Sequence, residues 1–387
     1  MSSNFRGSCL NHESTIPGLP DDLALQCLAR LSHGYHGSLQ AVSKKWREVL
    51  RSSDYSNLKA SEGLLGNWLF VLTEGDNNQW IAYDPEPNVW HPLPKIPREN
   101  SGWHHYGFSC VCVRGRFLVI GGSYGLHEPV YPHQRPLVTN DVMKFDPYKQ
   151  QWCRVASMIS PRSHFACSVV GGKVYVAGGR TSSSTKGLSS AEVYDPLVDR
   201  WEELAPMSWS QMDCIGLTYK NGFHVLNDQV GLPDQNISEV YNPSEQTWDQ
   251  VEGMWPFTRA MQFAATMVGE NKVYTVVDWG ESSIKTRESD QGEWSNVGSV
   301  PPVNLSGHAR PLEAFGYGFA ALGRELYVVG GKVLKWDESG AGRFDIVKLN
   351  TVRVCDPVSV PFKWRETKPM CGLARGAVLG CATMEEE

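Results

Sequence analysis

Residues 161–179 read PRSHFACSVVGGKVYVAGG, and after a polar loop residues 189–207 read SSAEVYDPLVDRWEELAPM. Both segments contain short runs of β-branched and aromatic residues that are separated by two glycine pairs and an Asp-Pro turn. Runs of this kind are typical of antiparallel strands rather than helices. The stretch therefore predicts a unit of four short strands, the last of which carries Trp201.

The closing part of this unit recurs along the chain. Its most regular marker is a turn of the type Tyr-Asp-Pro that is followed by a tryptophan. A degenerate copy of this marker lies around Arg287. The six tryptophans are Trp90, Trp152, Trp201, Trp248, Trp294 and Trp364, and their spacings are 62, 49, 47, 46 and 70 residues. A period near 50 with four strands per unit is typical of kelch-type blades. The sequence therefore predicts a mainly β protein with a six-bladed kelch-type β-propeller.

Glycine pairs mark the upstream half of the repeat. Gly121-Gly122, Gly178-Gly179 and Gly330-Gly331 each end an apolar strand. Paired glycines at such a position indicate positive φ and close backbone approach near the crowded centre of the ring. The repeated tryptophans are expected to pack between neighbouring blades.

The first and last copies predict how the ring closes. The first copy begins directly at Asn67–Val71 and lacks the strand that precedes the other copies. The sixth copy is followed by an extra strand, residues 375–384, which we expect to complete blade one as its innermost strand. This pairing would remove free strand edges that favour aggregation. The propeller is accordingly predicted to span residues 63–384.

The N-terminal region has a different period. Residues 1–15 are polar and predict a mobile tail, whereas residues 16–62 predict a small helical module with HGYHG between two helices. Apolar residues form two stripes at helical spacing: Leu23, Cys27, Leu28 and Leu31, then Leu39, Val42, Trp46 and Val49. A helical pair of this size buries little surface alone. We therefore expect it to need a partner, either the rest of the chain or another protein.

LPDDLALQCLARL followed by LQAVSKKWREVL resembles the F-box, a helical module that docks on the Skp-type adaptor of a cullin ubiquitin ligase. Cys27 departs mildly from the family pattern, and HGYHG is looser than the usual interhelical segment. The alternative is an ordinary helical hairpin that packs on its own domain. The resemblance implies seven adaptor-binding positions: Leu19, Pro20, Leu23, Leu28, Leu31, Val42 and Trp46.

Composition limits the partners and the compartment. The 387 residues include 36 Lys and Arg against 42 Asp and Glu, a net charge of −6 that argues against general attraction to nucleic acid. No apolar stretch approaches the roughly 20 residues of a membrane helix, and no secretory signal is visible. The ten cysteines lack a spacing framework, which favours free thiols in a reducing compartment. We expect a cytoplasmic or nuclear protein without nucleic-acid or membrane partners.

Loops at one end of the ring form the predicted substrate-binding rim. Arg and Trp at a concave rim are typical anchors for a protein partner. The predicted rim residues are Trp103, His105, Arg162, Gln211, Trp255, Arg259 and Arg310. Two insertions, residues 123–140 and residues 332–350 with Trp336, are also candidates, because long loops on a rigid scaffold tend to carry recognition.

Two segments resemble catalytic or metal-binding motifs, but each lacks a feature that the motif requires. Residues 121–125 fit the G-x-S-x-G pattern of hydrolases, but prolines follow where that motif needs a helix. A group of histidines and cysteines between His104 and His133 lacks a metal-ligand framework. The sequence therefore predicts no catalytic residue, no metal and no cofactor.

Together the two regions resemble the plant F-box/kelch-repeat proteins over nearly the whole chain. The resemblance implies a non-catalytic substrate receptor of a Skp-cullin-F-box ubiquitin ligase, whose substrate is a protein, in some relatives a metabolic enzyme. One alternative is a kelch scaffold without a role in ubiquitination. Another is a kelch-fold enzyme like the plant specifier proteins.

Overall fold

The computed structural model describes residues 14–74, 79–97, 104–125, 136–181, 187–227, 237–252, 264–268, 272–277, 282–287, 293–305, 311–336, 344–359 and 361–385. The chain divides into two compact units. Among the described residues, the helical unit comprises residues 14–66 and 147–150, and the propeller unit lies within residues 67–146 and 151–385. Predicted substrate-rim residues Trp103, Trp255, Arg259 and Arg310 lie outside the described residues.

The helical unit contains four short α-helices: α1 (Asp21–Ala29), α2 (His36–Val42), α3 (Lys44–Arg51) and α4 (Ser53–Ser61). A 3₁₀ turn, His33–Tyr35, precedes α2. The prediction of one continuous second helix is wrong, because Ser43 is extended and its Oγ accepts from the Trp46 amide at 3.0 Å. Ser52 caps α4 in the same way, accepting from the Tyr55 amide at 3.2 Å. A serine cap satisfies an amide that the first helical turn leaves unpaired.

The core of the helical unit is small and partly polar. Leu28, Ala29, Leu50 and Tyr55 are buried together with Tyr148. The Lys59 ammonium is also buried and donates to the carbonyls of Ala29 and Leu31, at 2.7 and 2.9 Å. These bonds satisfy the carbonyls at the C-terminal end of α1, where a cation is favoured by the helix dipole.

The propeller unit begins with the strands of blades one to three. In chain order they are β1 (Trp68–Thr73), β2 (Ile81–Asp84), β3 (Val89–Pro92), β4 (His104–Tyr106), β5 (Ser109–Val113), β6 (Arg116–Ile120), β7 (Ser123–Gly125), β8 (Leu137–Val138), β9 (Val142–Asp146), β10 (Gln151–Val155), β11 (Ala166–Val170), β12 (Lys173–Ala177), β13 (Ala191–Asp195) and β14 (Arg200–Leu204). All described pairs are antiparallel.

Blades four to six follow. Their strands are β15 (Cys214–Tyr219), β16 (Gly222–Asn227), β17 (Ile237–Asn242), β18 (Thr247–Glu252), β19 (Ala264–Val268), β20 (Lys272–Val277), β21 (Ser283–Arg287), β22 (Ser295–Ser299), β23 (Ala314–Phe315), β24 (Gly318–Leu322), β25 (Glu325–Val329), β26 (Lys332–Trp336), β27 (Phe344–Lys348), β28 (Val352–Cys355), β29 (Trp364–Glu366) and β30 (Val378–Met384).

Six four-stranded sheets form the blades. From the innermost strand outward, they are β30-β1-β2-β3, β5-β6-β9-β10, β11-β12-β13-β14, β15-β16-β17-β18, β19-β20-β21-β22 and β24-β25-β28-β29. The innermost strands contact one another in the order β30, β5, β11, β15, β19, β24, and β24 contacts β30 again. The molecule is therefore mainly β, with a six-bladed kelch-type propeller preceded by a small helical module.

The C-terminal strand pairs where the sequence predicted. Residues of β30 lie opposite β1 from Trp68↔Met384 to Thr73↔Val378. The Glu74 amide continues this ladder by donating to the Ala377 carbonyl at 2.9 Å. The last strand of the chain therefore covers the edge that β1 would otherwise expose.

Four of the repeated tryptophans, Trp90, Trp152, Trp201 and Trp248, link a blade to the one before it by a hydrogen bond. The indole N–H of Trp152 donates to the Pro94 carbonyl at 2.7 Å, and that of Trp201 donates to Ala156 at 2.8 Å. Trp90 makes the same bond to Lys368, 278 residues later in the chain. Packing between blades was predicted, and the structure adds a hydrogen bond that joins blade one to blade six.

The glycine pairs have the backbone that was predicted for them. Gly178 and Gly179 have φ of 69° and 89°. A Cβ added to Gly179 would lie 2.7 Å from the Phe165 Cβ and 2.7 Å from the Ser163 carbonyl oxygen. Both the conformation and the close approach therefore favour glycine.

Candidate functional site

Several large apolar side chains of the helical unit are exposed at helical spacing in the sequence. Leu23, Leu31 and Val42 are 44%, 39% and 61% exposed, and Cys27 is exposed between the two leucines. Helix α1 buries Ala24 and Leu28 on its other side. Large apolar side chains that remain in water on a small helical module are typical of a protein-docking surface. We call Leu23, Leu31 and Val42 the exposed helical stripe.

The other predicted adaptor residues have different positions. Leu28 is only 1% exposed and belongs to the core of the helical unit, so its assignment to a docking surface is corrected. Successive residues of an α-helix are turned by about 100° around its axis. Cys27 faces the solvent, and the next residue, Leu28, is therefore turned toward the core. Leu19 is half-buried, Pro20 is the exposed residue before α1, and the half-buried Trp46 donates its indole N–H to the Thr15 carbonyl at 2.7 Å.

A carboxylate anchors the start of α1. Asp21 accepts from the Thr15 amide at 2.7 Å, and the Lys45 ammonium lies 3.4 Å away. The Thr15 hydrogen bonds, with a smaller contribution from Lys45, lower the pKa of Asp21 from 3.8 to about 2. Asp21 is therefore charged at neutral pH and joins the first turn of α1 to the segment before it and to α3.

The structure corrects the predicted role of Arg162. Its guanidinium is 0% exposed and pairs with the Glu192 carboxylate at 2.7 Å. It also donates to the carbonyls of Gly178 and Ser190, at 3.0 and 2.8 Å. All of this hydrogen bonding is directed within the propeller, so Arg162 cannot anchor a partner.

Glu192 is a structural residue that the sequence analysis missed. Its carboxylate accepts from the amides of Ile159 and Ser160, at 2.7 and 3.0 Å. In the next blade Glu239 accepts from the amides of Ser208 and Trp209, at 2.8 and 3.1 Å. Each glutamate thus fixes the loop that enters its blade. The sequence feature that could have indicated this role is a glutamate within a strand, two residues before the tyrosine of the Tyr-Asp-Pro type of turn.

His105 and Gln211 are likewise buried, at 3% and 4% exposure. The His105 ring stacks against Phe108 and Tyr124, with centroids 4.6 and 4.4 Å away, and its Nε2 lies 2.7 Å from the Gly121 carbonyl oxygen. The Gln211 backbone forms a bridge with Leu188. The rim assignments of His105 and Gln211 are therefore corrected, because both side chains are enclosed by the propeller.

Both insertions instead form small sheets. The strand orders are β4-β7-β8 in blade two and β23-β26-β27 in blade six. In each sheet, the segment before the innermost blade strand pairs with the segment that follows the glycine pair. This pairing brings each insertion beside the segment that enters the innermost strand of its blade.

The blade-six sheet has an exposed apolar face. Trp336 lies opposite Phe344, and Leu334 lies opposite Ile346. These four side chains share one face of the β26–β27 hairpin, because side chains alternate along a strand. Trp336, Phe344 and Ile346 are each about half exposed, and the first two rings lie 5.1 Å apart. We call these four residues the hairpin face.

The described residues contain no group of three His, Cys, Asp or Glu side chains that could hold a metal ion. Burial raises the pKa of the Cys110 and Cys214 thiols to about 12. Such thiols are protonated at neutral pH and are poor nucleophiles. Within the described part of the chain, no helix is both long and apolar enough to cross a membrane.

A helical module with an exposed apolar stripe, followed by a kelch-type propeller, defines a class of two-part binding proteins. The comparisons agree with this class. The F-box domain model matches residues 16–56, and two kelch-motif models match residues 105–158 and 161–208.

Similar proteins have the same arrangement over their full length. The F-box/kelch-repeat protein At1g16250 of Arabidopsis thaliana is 63% identical over 374 residues, which cover 97% of this chain and 98% of that protein. F-box/kelch-repeat protein SKIP30 of the same plant is 30% identical over 379 residues, with 95% and 96% covered. The chain belongs to the plant F-box/kelch-repeat family. An F-box with kelch repeats indicates a protein of the substrate-adaptor type, a class whose members are generally receptors rather than enzymes.

Proposed function

We propose that this chain is the substrate-recognition subunit of a Skp-cullin-F-box ubiquitin ligase. The helical unit binds the Skp-type adaptor, and the propeller binds the protein that is to be ubiquitinated. In this role the chain needs no catalytic group of its own. It raises the effective concentration of substrate lysines near the ubiquitin-charged enzyme, as any tether does.

The exposed helical stripe carries the adaptor half of this proposal. Burying a leucine or valine side chain contributes roughly 1.5–3 kcal/mol, so Leu23, Leu31 and Val42 leave considerable binding energy unused in the free chain. The neighbouring Ala24 is buried, and Leu28 and Ala29 already belong to the helical core. The outward stripe is therefore available to another protein without unfolding the unit.

The double change Leu23→Asp and Val42→Asp tests the adaptor half. We expect the full-length variant to lose binding to a purified Skp-type adaptor by about a hundredfold or more, since it removes two buried apolar contacts. The matched control is Leu197→Asp with Val198→Asp, two exposed apolar residues in the β13–β14 turn. Unchanged adaptor affinity in the helical variant would favour a kelch scaffold without a ligase role.

The hairpin face supports the substrate half. Among the described residues β27 pairs with β26 alone, so its other edge can accept an added strand. The adjacent face offers Trp336 and Phe344, and aromatic residues are common anchors of protein interfaces. We propose that an extended segment of the substrate protein, with apolar side chains, adds to β27 and packs on this face.

Trp336→Ser with Phe344→Ser tests the substrate half. With cullin activity blocked, full-length wild type should retain a set of cross-linked proteins that this variant loses, while both bind the adaptor equally. Val358→Ser with Leu373→Ser is the control, because both side chains are exposed and apolar but lie off the hairpin. Identical capture by all three proteins would contradict the assignment of the hairpin face.

We also propose that the protein acts in the cytoplasm or the nucleus. The nine described cysteines are all free thiols, which is the state that a reducing compartment favours. Microscopy of a fluorescent fusion tests this proposal, and a signal confined to the secretory pathway would refute it.

A further inference from the structure

A cavity of about 510 Å³ lies between blades four and five. It opens where the β15–β16 turn approaches β17, β18 and the end of β21. Tyr219, His224 and Arg287 are buried and form its floor, and Lys220, Ser244 and Asp249 are exposed at its rim. Its volume is within the range of small-molecule sites.

This cavity coincides with a departure from the repeat. In the first four blades the position seven residues before the tryptophan is aromatic, as in Tyr194 and Tyr241. The Tyr194 and Tyr241 rings lie 5.1 and 5.2 Å from the rings of Trp201 and Trp248. Blade five has Arg287 at this position, and only 4% of it is exposed.

Burying a guanidinium where other blades bury a ring has a high desolvation cost. Departures from a local rule of this kind are expected at functional sites. Arg287 thus places a cation, where other blades have an aromatic ring, on the floor of a cavity.

The cavity lining is rich in hydrogen-bond donors. Lys220 and Arg287 are donors only, and Asp249 is the one acidic side chain among the lining residues. Asn242 uses its Oδ1 to accept from the Ser244 amide at 3.0 Å, which leaves its NH₂ group as a donor. A lysine and an arginine side chain with additional donors are suited to a phosphate group.

The remaining lining suits a hydroxylated carbon skeleton. The half-buried Val240 and Val251 form apolar wall. The Asp249 carboxylate can accept hydrogen bonds from hydroxyl groups. We propose that this cavity binds a small hydroxylated organic phosphate, of the sugar-phosphate type, with its phosphate between Lys220 and Arg287.

Calorimetric titration of the purified full-length protein tests the proposal. The probes are glucose 6-phosphate, ribose 5-phosphate, glycerol 3-phosphate and myo-inositol 1-phosphate, with glucose as the uncharged counterpart. At least one phosphate should bind with a measurable heat, and glucose should not. If none of the four binds, or if glucose binds as well as glucose 6-phosphate, the proposal is overturned.

Two variants locate the site. Lys220→Ala should weaken binding by about tenfold, the loss of one charge-assisted hydrogen bond. Arg287→Tyr introduces the aromatic residue that the first four blades have at this position. It removes the guanidinium from the floor of the cavity and should abolish binding. Arg324→Ala is the control, because Arg324 is an exposed cation on the equivalent β24–β25 turn of blade six.

Lys220 has a positive φ of 47°. Alanine, like lysine, carries a Cβ, so the substitution adds no backbone strain and the variant should fold. Thermal unfolding checks the fold of Arg287→Tyr, and Lys220→Ala stands as an independent test if that variant is unstable. Equal affinities of Lys220→Ala, Arg324→Ala and the wild type would refute the site.

Discussion

Arg162 illustrates how a charged residue in a predicted loop can serve the core instead. Sequence alone shows an arginine after a proline at the entrance to a blade, which is a pattern that suits a binding rim. Its burial depends on Glu192, thirty residues later, and on carbonyls that only the folded sheet brings near. By contrast, the positions of the glycine pairs and tryptophans were predictable, because the same sequence motif recurs in successive blades.

The Arg162–Glu192 pair leads to a stability prediction. Arg162→Ala leaves a buried carboxylate without its cation and should lower the free energy of unfolding by about 3–5 kcal/mol. Arg154→Ala breaks the Arg154–Asp141 pair, whose arginine is exposed, and should cost about 1 kcal/mol or less. Urea unfolding of both variants measures the difference. Similar losses for the two would contradict a structural role for Arg162.

Asp21 leads to a pH prediction for the helical unit. Because hydrogen bonds from Thr15 lower its folded pKa from 3.8 to about 2, the charged form stabilises the fold above pH 3.8. This stabilisation is lost as the pH falls toward 2. Asp21→Asn should therefore reduce hydrogen-exchange protection of residues 14–60 at pH 7, and by much less near pH 2.

Asp54→Asn is the control for this experiment, because Asp54 lies in the first turn of α4. A reduction in protection that is the same at both pH values for Asp21→Asn would show that its charge is unimportant.

At the level of elements, periodic sequence patterns predicted the helices and strands correctly, whereas breaks within a helix or loop were not predicted. The alternating strands of each blade and the C-terminal strand were predictable from their repeat and from the missing first strand. The break between α2 and α3 was missed, because the apolar stripe continues across Ser43 while the backbone does not. The blade-two sheet was read as a long loop, since β7 and β8 are too short to give a strand pattern. The strands β26 and β27 are five residues each and were missed because they lie in an insertion outside the repeat.

The C-terminal strand gives a prediction at this scale. Truncation after Cys371 removes β30, exposes the edge of β1 and opens the ring of innermost strands. The melting temperature should fall by about 10 °C or more, because each lost kcal/mol costs about 2 °C in a large domain, and aggregation should increase. Differential scanning fluorimetry measures the change.

Truncation after Glu385 keeps β30 and is the matched control. If both truncated proteins melted at the temperature of the full chain, the stabilising role of β30 would be wrong.

On the scale of the whole molecule, the chain combines two units whose surfaces differ in kind. The helical unit leaves Leu23, Leu31 and Val42 exposed, whereas the propeller encloses its described rim residues and exposes the hairpin face. The sequence predicted both units because each has its own period and motif. It could not predict which side chains remain exposed, since exposure depends on contacts between distant strands.

The proposed function requires one chain to hold the adaptor and the substrate at once. Ubiquitin transfer to a captured protein, in a reaction reconstituted with adaptor, cullin and charged enzyme, tests this claim most directly. We expect transfer with the wild type, and none with either the Leu23→Asp, Val42→Asp or the Trp336→Ser, Phe344→Ser protein, although each variant keeps its other interaction. Transfer that persists when the exposed helical stripe is charged would contradict the account.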